Sequence, residues 1–160
     1  MGYFNKPQQS GAELAPLTND RIKSVLDARE ANYGVDDDGD IGGYWDGHLF
    51  YFFILGSDKD FLQSRARWNR KVDVSHLGAI VEAANDWNAT KLWPKVYVRP
   101  EESFVGVYAE HTVPYEHGLT DEQLDLHLAV AISTTGQFFD HLDESYPEQA
   151  AIAKAEYESE

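Results

Sequence analysis

The sequence predicts an α+β protein built on an antiparallel sheet, and three observations predict it. Strand-length apolar runs come in groups, a meander and then a later pair, instead of alternating one by one with helices. Three longer segments carry helical apolar spacing, the first and last with recognisable caps. No internal repeat or long linker divides the 160 residues, so a single domain is expected.

The first helix is signed by Thr18 as N-cap, followed by Asn19 and Asp20, where negative charge complements the helix dipole. Leu17 and Ile22 form a hydrophobic staple, and Ile22, Val25, Leu26 and the ring of Tyr33 make one apolar stripe. Gly34 is the expected left-handed terminator. Val35 to Asp40 reads as an acidic turn between short strands. Ile41 to Trp45 and His48 to Leu55 flank Asp46-Gly47, a hairpin signal because both positions tolerate positive φ. The run Leu49 to Leu55 is apolar on both strand faces. It should be covered on each side, or one face should meet a partner.

Phe61 to Asn69 gives the next strand. Leu62, Ser64, Ala66 and Trp68 share one face; Gln63, Arg65, Arg67 and Asn69 share the other. A second helix is expected from about Ser75 to Trp87, on the spacing of Leu77, Ile80, Val81, Ala84 and Trp87. Strands Lys95 to Arg99 and Phe104 to about Thr112 follow. The last helix opens on a capping box, Thr120 with Gln123, and a staple, Leu119 with Leu124. Its stripe runs from Leu124 and Leu128 through Ala131 and Thr135 to Phe138, Phe139 and Leu142, and Pro147 ends it. Leu126 and Val130 lie off that stripe and point to a second contact.

Residues 1–16 read as a loose leader without the apolar run of a signal peptide, 17–148 as the domain, and 149–160 as an acidic tail or frayed helix. No apolar stretch approaches a membrane span. The absence of cysteine excludes thiol catalysis and thiolate metal sites and fits a reducing cytoplasm. The net charge of −15 is uneven: residues 59–99 carry 8 basic and 4 acidic side chains, whereas residues 100–160 carry 1 and 14. Nucleic acid would meet net repulsion, so neither it nor a membrane is an expected partner.

Several motifs resemble the YbjN-domain family of bacterial proteins, labelled sensory transduction regulators. They are Gly42-Gly43-Tyr44-Trp45-Asp46-Gly47, Phe50 to Gly56, Arg65-Ala66-Arg67-Trp68, Asn85-Asp86-Trp87-Asn88, Leu92-Trp93-Pro94-Lys95, Ala109-Glu110-His111 and Gly118 to Leu124. The resemblance implies a fold similar to type III secretion chaperones, with three helices on a twisted antiparallel sheet. Chaperones of that fold are dimers that hold an extended client segment.

The residues offer little for chemistry. Asp36, Asp38 and Asp40 match the start of a calcium loop, but Ile41 and Gly47 stand where it needs Gly and Glu. No His-Glu-x-x-His spacing and no nucleophile elbow or phosphate loop is present. No catalytic residue, metal ligand or cofactor is therefore expected. The reading that follows is a non-enzymatic, chaperone-like or regulatory module, a homodimer that binds an unknown protein or peptide client. The alternative is a small-molecule or metal-dependent enzyme using the region of His111 and His117. The candidate partner-binding residues are Arg65, Arg67, Lys95, Tyr97 and Arg99, which alternate on two strands and share a face if those strands join one sheet. The bland reading has these cations pairing with the protein's own carboxylates, such as Glu110.

Overall fold

The computed structural model describes residues 13–159. Residues 1–12 of the expected leader and Glu160 lie outside the described residues. Ten elements follow in chain order: α1 (Asn19–Ala28), β1 (Gly34–Val35), β2 (Ile41–Trp45), β3 (His48–Leu55), β4 (Phe61–Arg67), α2 (Leu77–Thr90), β5 (Lys95–Glu101), β6 (Phe104–Pro114), α3 (Asp121–Ser145) and α4 (Pro147–Glu158). The six strands form one antiparallel sheet in the order β1-β2-β3-β4-β6-β5. The α+β class and the antiparallel sheet match the expectation. There are four helices among the described residues instead of three, because the acidic segment after Pro147 is helical, with no buried residue.

Side-chain caps explain where α1 and α3 begin, whereas α2 and α4 start without one. Thr18 accepts from the Arg21 amide at 3.3 Å, and Thr120 and Gln123 make the reciprocal capping box at 3.1 and 2.9 Å. The end of α1 corrects the sequence reading. The helix stops at Ala28, and the left-handed residue is Glu30 (φ 53°), not Gly34. Glu30 and Ala31 donate their amides to Asp27 and Leu26, both at 3.0 Å, the two bonds of a Schellman motif. Tyr33 is therefore outside the helix. Val81, expected on the α2 stripe, is exposed at 47%.

One face of the sheet carries α1, α2 and α3. Beneath α1 and the first half of α3 lie Ile22, Leu26, Ile41, Phe52, Leu62 and Leu128; beneath α2 and the second half lie Phe50, Trp68, Val107, Phe138, Phe139 and Leu142. Trp45 joins the two groups, edge-on to Phe50 at 5.3 Å and Phe52 at 5.8 Å. The outer edge of β5 is closed at Val96, whose amide and carbonyl both bond the Asn88 side chain of α2, at 3.0 and 2.9 Å. Such pairing removes the exposed backbone groups that would template another strand.

Candidate sheet-face site

On the opposite face α4 reaches the β2–β3 side, where Tyr157 meets Tyr44 at 5.8 Å and lines a cavity with Leu49 and Tyr51; over β4, β5 and β6 the described residues place no helix. Alternation sends Leu49, Tyr51, Phe53 and Leu55 of β3 onto this face, so the strand is buried on one side and only partly covered on the other. Register then decides what stands beside what. Arg65 of β4 is opposite Glu110 of β6, and Glu110 is opposite Lys95 of β5. In the next row Arg67, Tyr108 and Tyr97 stand side by side. The structure thus brings Arg65, Arg67, Lys95, Tyr97 and Arg99 onto one face, as the alternation predicted.

Three of the four cations are held by two carboxylates. Glu110, only 8% exposed, forms ion pairs with Arg65 at 3.1 Å and Lys95 at 2.6 Å and accepts from the Tyr97 hydroxyl at 2.8 Å. Glu101 accepts from Arg67 and from the Tyr108 hydroxyl. Among the described residues Arg99 makes no ion pair and rests over the Tyr97 ring at 5.3 Å. Arg65 lies over Phe53 at 5.2 Å, and its guanidinium also donates to Gln63 at 2.7 Å. The rings themselves pair, Tyr51 with Phe53 at 5.3 Å and Tyr97 with Tyr108 at 5.2 Å, both nearly parallel.

The electrostatics follow from these contacts. Burial pushes the Glu110 carboxyl up, but bonds from Lys95 and Tyr97 and the charges of Lys95 and Arg65 outweigh it, so its pKa is lowered. Tyr97 is pushed up to about 12 by burial and by its bond to Glu110. An ionised, fully occupied carboxylate beside a phenol that stays protonated cannot serve as acid or base near neutral pH. The face can offer aromatic area and exchangeable cations.

Glu101, Glu110, Tyr108 and Gln63 were not among the residues singled out as site candidates from the sequence. The signal was present: β5 and β6 are joined through Glu102 and Ser103, and counting back from that turn sets Lys95 against Glu110.

The histidines group differently from expectation. His117 is exposed beside Glu116 at 3.2 Å and does not line a cavity with His111. The imidazole against His111 is that of His127 on α3, at 4.5 Å between centroids. Among the described residues no three His, Asp or Glu side chains are gathered as a metal would need. No helix of the described chain is long and apolar enough to cross a membrane.

Comparison with known proteins agrees with the architecture. No curated protein matches the chain in sequence. The crystal structure of YbjN from E. coli superposes with a TM-score of 0.69 at 12% identity, covering 84% of this chain and 96% of that one. The model of the YbjN family, described as "Putative bacterial sensory transduction regulator", matches residues 18–144. By that match over most of its length, the chain belongs to the YbjN family.

Proposed function

We propose that the chain is a non-enzymatic protein-binding module, chaperone-like or regulatory, that works as a homodimer and receives an extended acidic segment of a client across the open sheet face. The observation that carries this reading is the part of the face beyond the reach of α4, where Phe53, Tyr97 and Tyr108 alternate with Arg65, Arg67, Lys95 and Arg99. The internal pairing is compatible with exchange. Arg67 and Glu101 side chains are 46% and 31% exposed, and exposed ion pairs contribute only about 0–1 kcal/mol each. A client carboxylate can therefore displace Glu101 at small cost, or bind the outer sides of Arg65 and Lys95, 44% and 64% exposed, while the buried Glu110 keeps its partners. Arginine forks grip carboxylates through two bonds. Leu55 and Phe61, cross-strand partners at the end of this face, leave apolar surface for a second protomer.

The test uses changes of opposite sign. A pull-down from the native cell with mass spectrometry names the client, and the purified pair is then titrated. Arg65→Ala with Arg67→Ala should abolish capture while leaving the denaturant midpoint near wild type. Glu110→Gln, which releases Arg65 and Lys95, should strengthen it. Light scattering at low micromolar concentration should give a dimer mass. Unchanged capture by both variants would place the client elsewhere, and a monomer mass would remove the dimer.

A further inference from the structure

On the helix-bearing side of the sheet, away from the open face, a cavity of about 250 Å3 opens between the end of β6, the first half of α3 and the residues before β5. Its walls are rings in an unbroken series. Trp93 meets His111 at 5.4 Å between centroids, His111 meets His127 at 4.5 Å, and His127 meets Tyr115 at 5.9 Å. Val113, Leu126 and Val130 add aliphatic carbon, and Gln123, whose Oε1 accepts from the Thr120 amide, completes the lining. Leu126 is 62% exposed and Trp93 39%, so the rim is apolar and open to solvent.

Inside this apolar lining, polar nitrogen is left without partners. His127 is 4% exposed; its Nδ1 bonds the Tyr115 hydroxyl at 3.2 Å, while Nε2 is sealed from water with no hydrogen bond. His111, half-buried beside it, has an imidazole with no hydrogen-bond partner among the described residues. Native interiors satisfy nearly all such groups; His127 Nε2 is the one sealed here, whereas the half-buried His111 keeps polar atoms that a ligand can meet. Burial keeps both imidazoles uncharged, and each lies below the ordinary histidine range. Among the described residues no carboxylate, lysine or arginine lines the cavity. A charged ligand would lose its hydration here without compensation.

We propose that this cavity binds a small uncharged aromatic compound of one or two rings, bearing a hydroxyl that bonds the imidazole of His111. The volume lies just below the range of drug-sized pockets, which suits a fragment-sized ligand. Ring walls accept a ring edge-on or in offset stacking. A hydroxyl both donates and accepts, so it satisfies either neutral tautomer of His111. The site is separate from the client face and does not depend on it.

The experiment titrates the full chain with p-cresol, toluene and benzoate, following histidine-ring and indole resonances by NMR. p-Cresol should give saturable shifts centred on Trp93, His111 and His127, whereas benzoate, which carries a charge, should bind at least about tenfold more weakly. His111→Phe keeps a ring but removes the nitrogens; p-cresol should then weaken by about tenfold while toluene is unchanged. Val130→Trp fills the cavity and should abolish all binding. Leu126→Trp, at an exposed position, does the same from the rim should the first variant lower the thermal midpoint. The proposal is overturned by p-cresol that never saturates, by benzoate binding equally well, or by p-cresol affinity that neither cavity-filling variant reduces.

Discussion

Trp68 shows how much one side chain can hold. Its ring is 1% exposed within the core, and its indole nitrogen donates to Asp143 of α3 at 2.7 Å. The same carboxylate takes two bonds from Arg70, at 3.1 and 2.7 Å, and Arg70 is itself buried. One aspartate therefore ties the end of β4 to α3 through an indole and a guanidinium. Trp68→Ala removes the ring and one bond of this group and should cost about 3–5 kcal/mol, the usual range for a large buried aromatic. A urea midpoint close to wild type would contradict this assignment of strand faces. The tryptophan's burial followed from alternation, since Trp68 lies opposite in sense to Arg65 and Arg67. The aspartate did not, because Asp143 is 75 residues from Trp68 in sequence and no local pattern joins them.

At the scale of elements, caps were legible and long-range register was not. Thr18, Thr120 and the Asp46-Gly47 turn act within four residues of themselves, so their chemistry is written locally; Asp46 and Gly47 adopt φ of 53° and 75° as a primed turn requires. The end of α1 escaped because the motif used a glutamate where glycine is the usual signal. Asp27 and Leu26 carbonyls still receive their two amides, and Ala31 folds back onto the cluster around Leu26. A non-glycine residue in the left-handed region carries a steric penalty of roughly 1 kcal/mol or more. Glu30→Gly should therefore raise stability by about 0.5–1 kcal/mol, net of the entropy glycine adds to the unfolded chain. A lowered midpoint in urea would mean that the glutamate side chain contributes more than its strain costs. The candidate face shows the same division. Alternation gave Arg65 with Arg67, and Lys95 with Tyr97 and Arg99, whereas the strand order that lays Glu110 between Arg65 and Lys95 is set by tertiary packing.

For the whole molecule, the consequence of this packing is a dependence on pH that runs against its net charge. With −15 at neutral pH, mild acidification relieves self-repulsion and would by itself stabilise the fold. Three histidines act in the other direction, His111 through burial alone and His127 and His48 by larger shifts. His127 is pushed down to about 3 by burial, with a further contribution from His111 beside it. His48 falls to about 4 through burial and the charge of Arg70, opposed by Asp143. Both imidazoles stay neutral in the folded state while the unfolded chain protonates near 6.5. Between pH 6.5 and 5 the unfolded state thus binds more protons, and stability falls with pH, by up to about 2 kcal/mol per histidine at pH 5. Above pH 5 carboxylates of ordinary pKa remain mostly ionised, while Asp40 and Asp140, raised by burial and neighbouring carboxylates, work in the opposite sense to the histidines. Denaturant midpoints of the wild type should drop from pH 7 to pH 5. In His127→Phe, which keeps an aromatic ring against Tyr115 and His111, the drop should shrink by up to about 2 kcal/mol, because one of the linked protons is gone. A wild-type midpoint that holds or rises over this interval would mean that relief of the acidic surface outweighs the imidazoles, and that His48 and His127 protonate with little loss of packing.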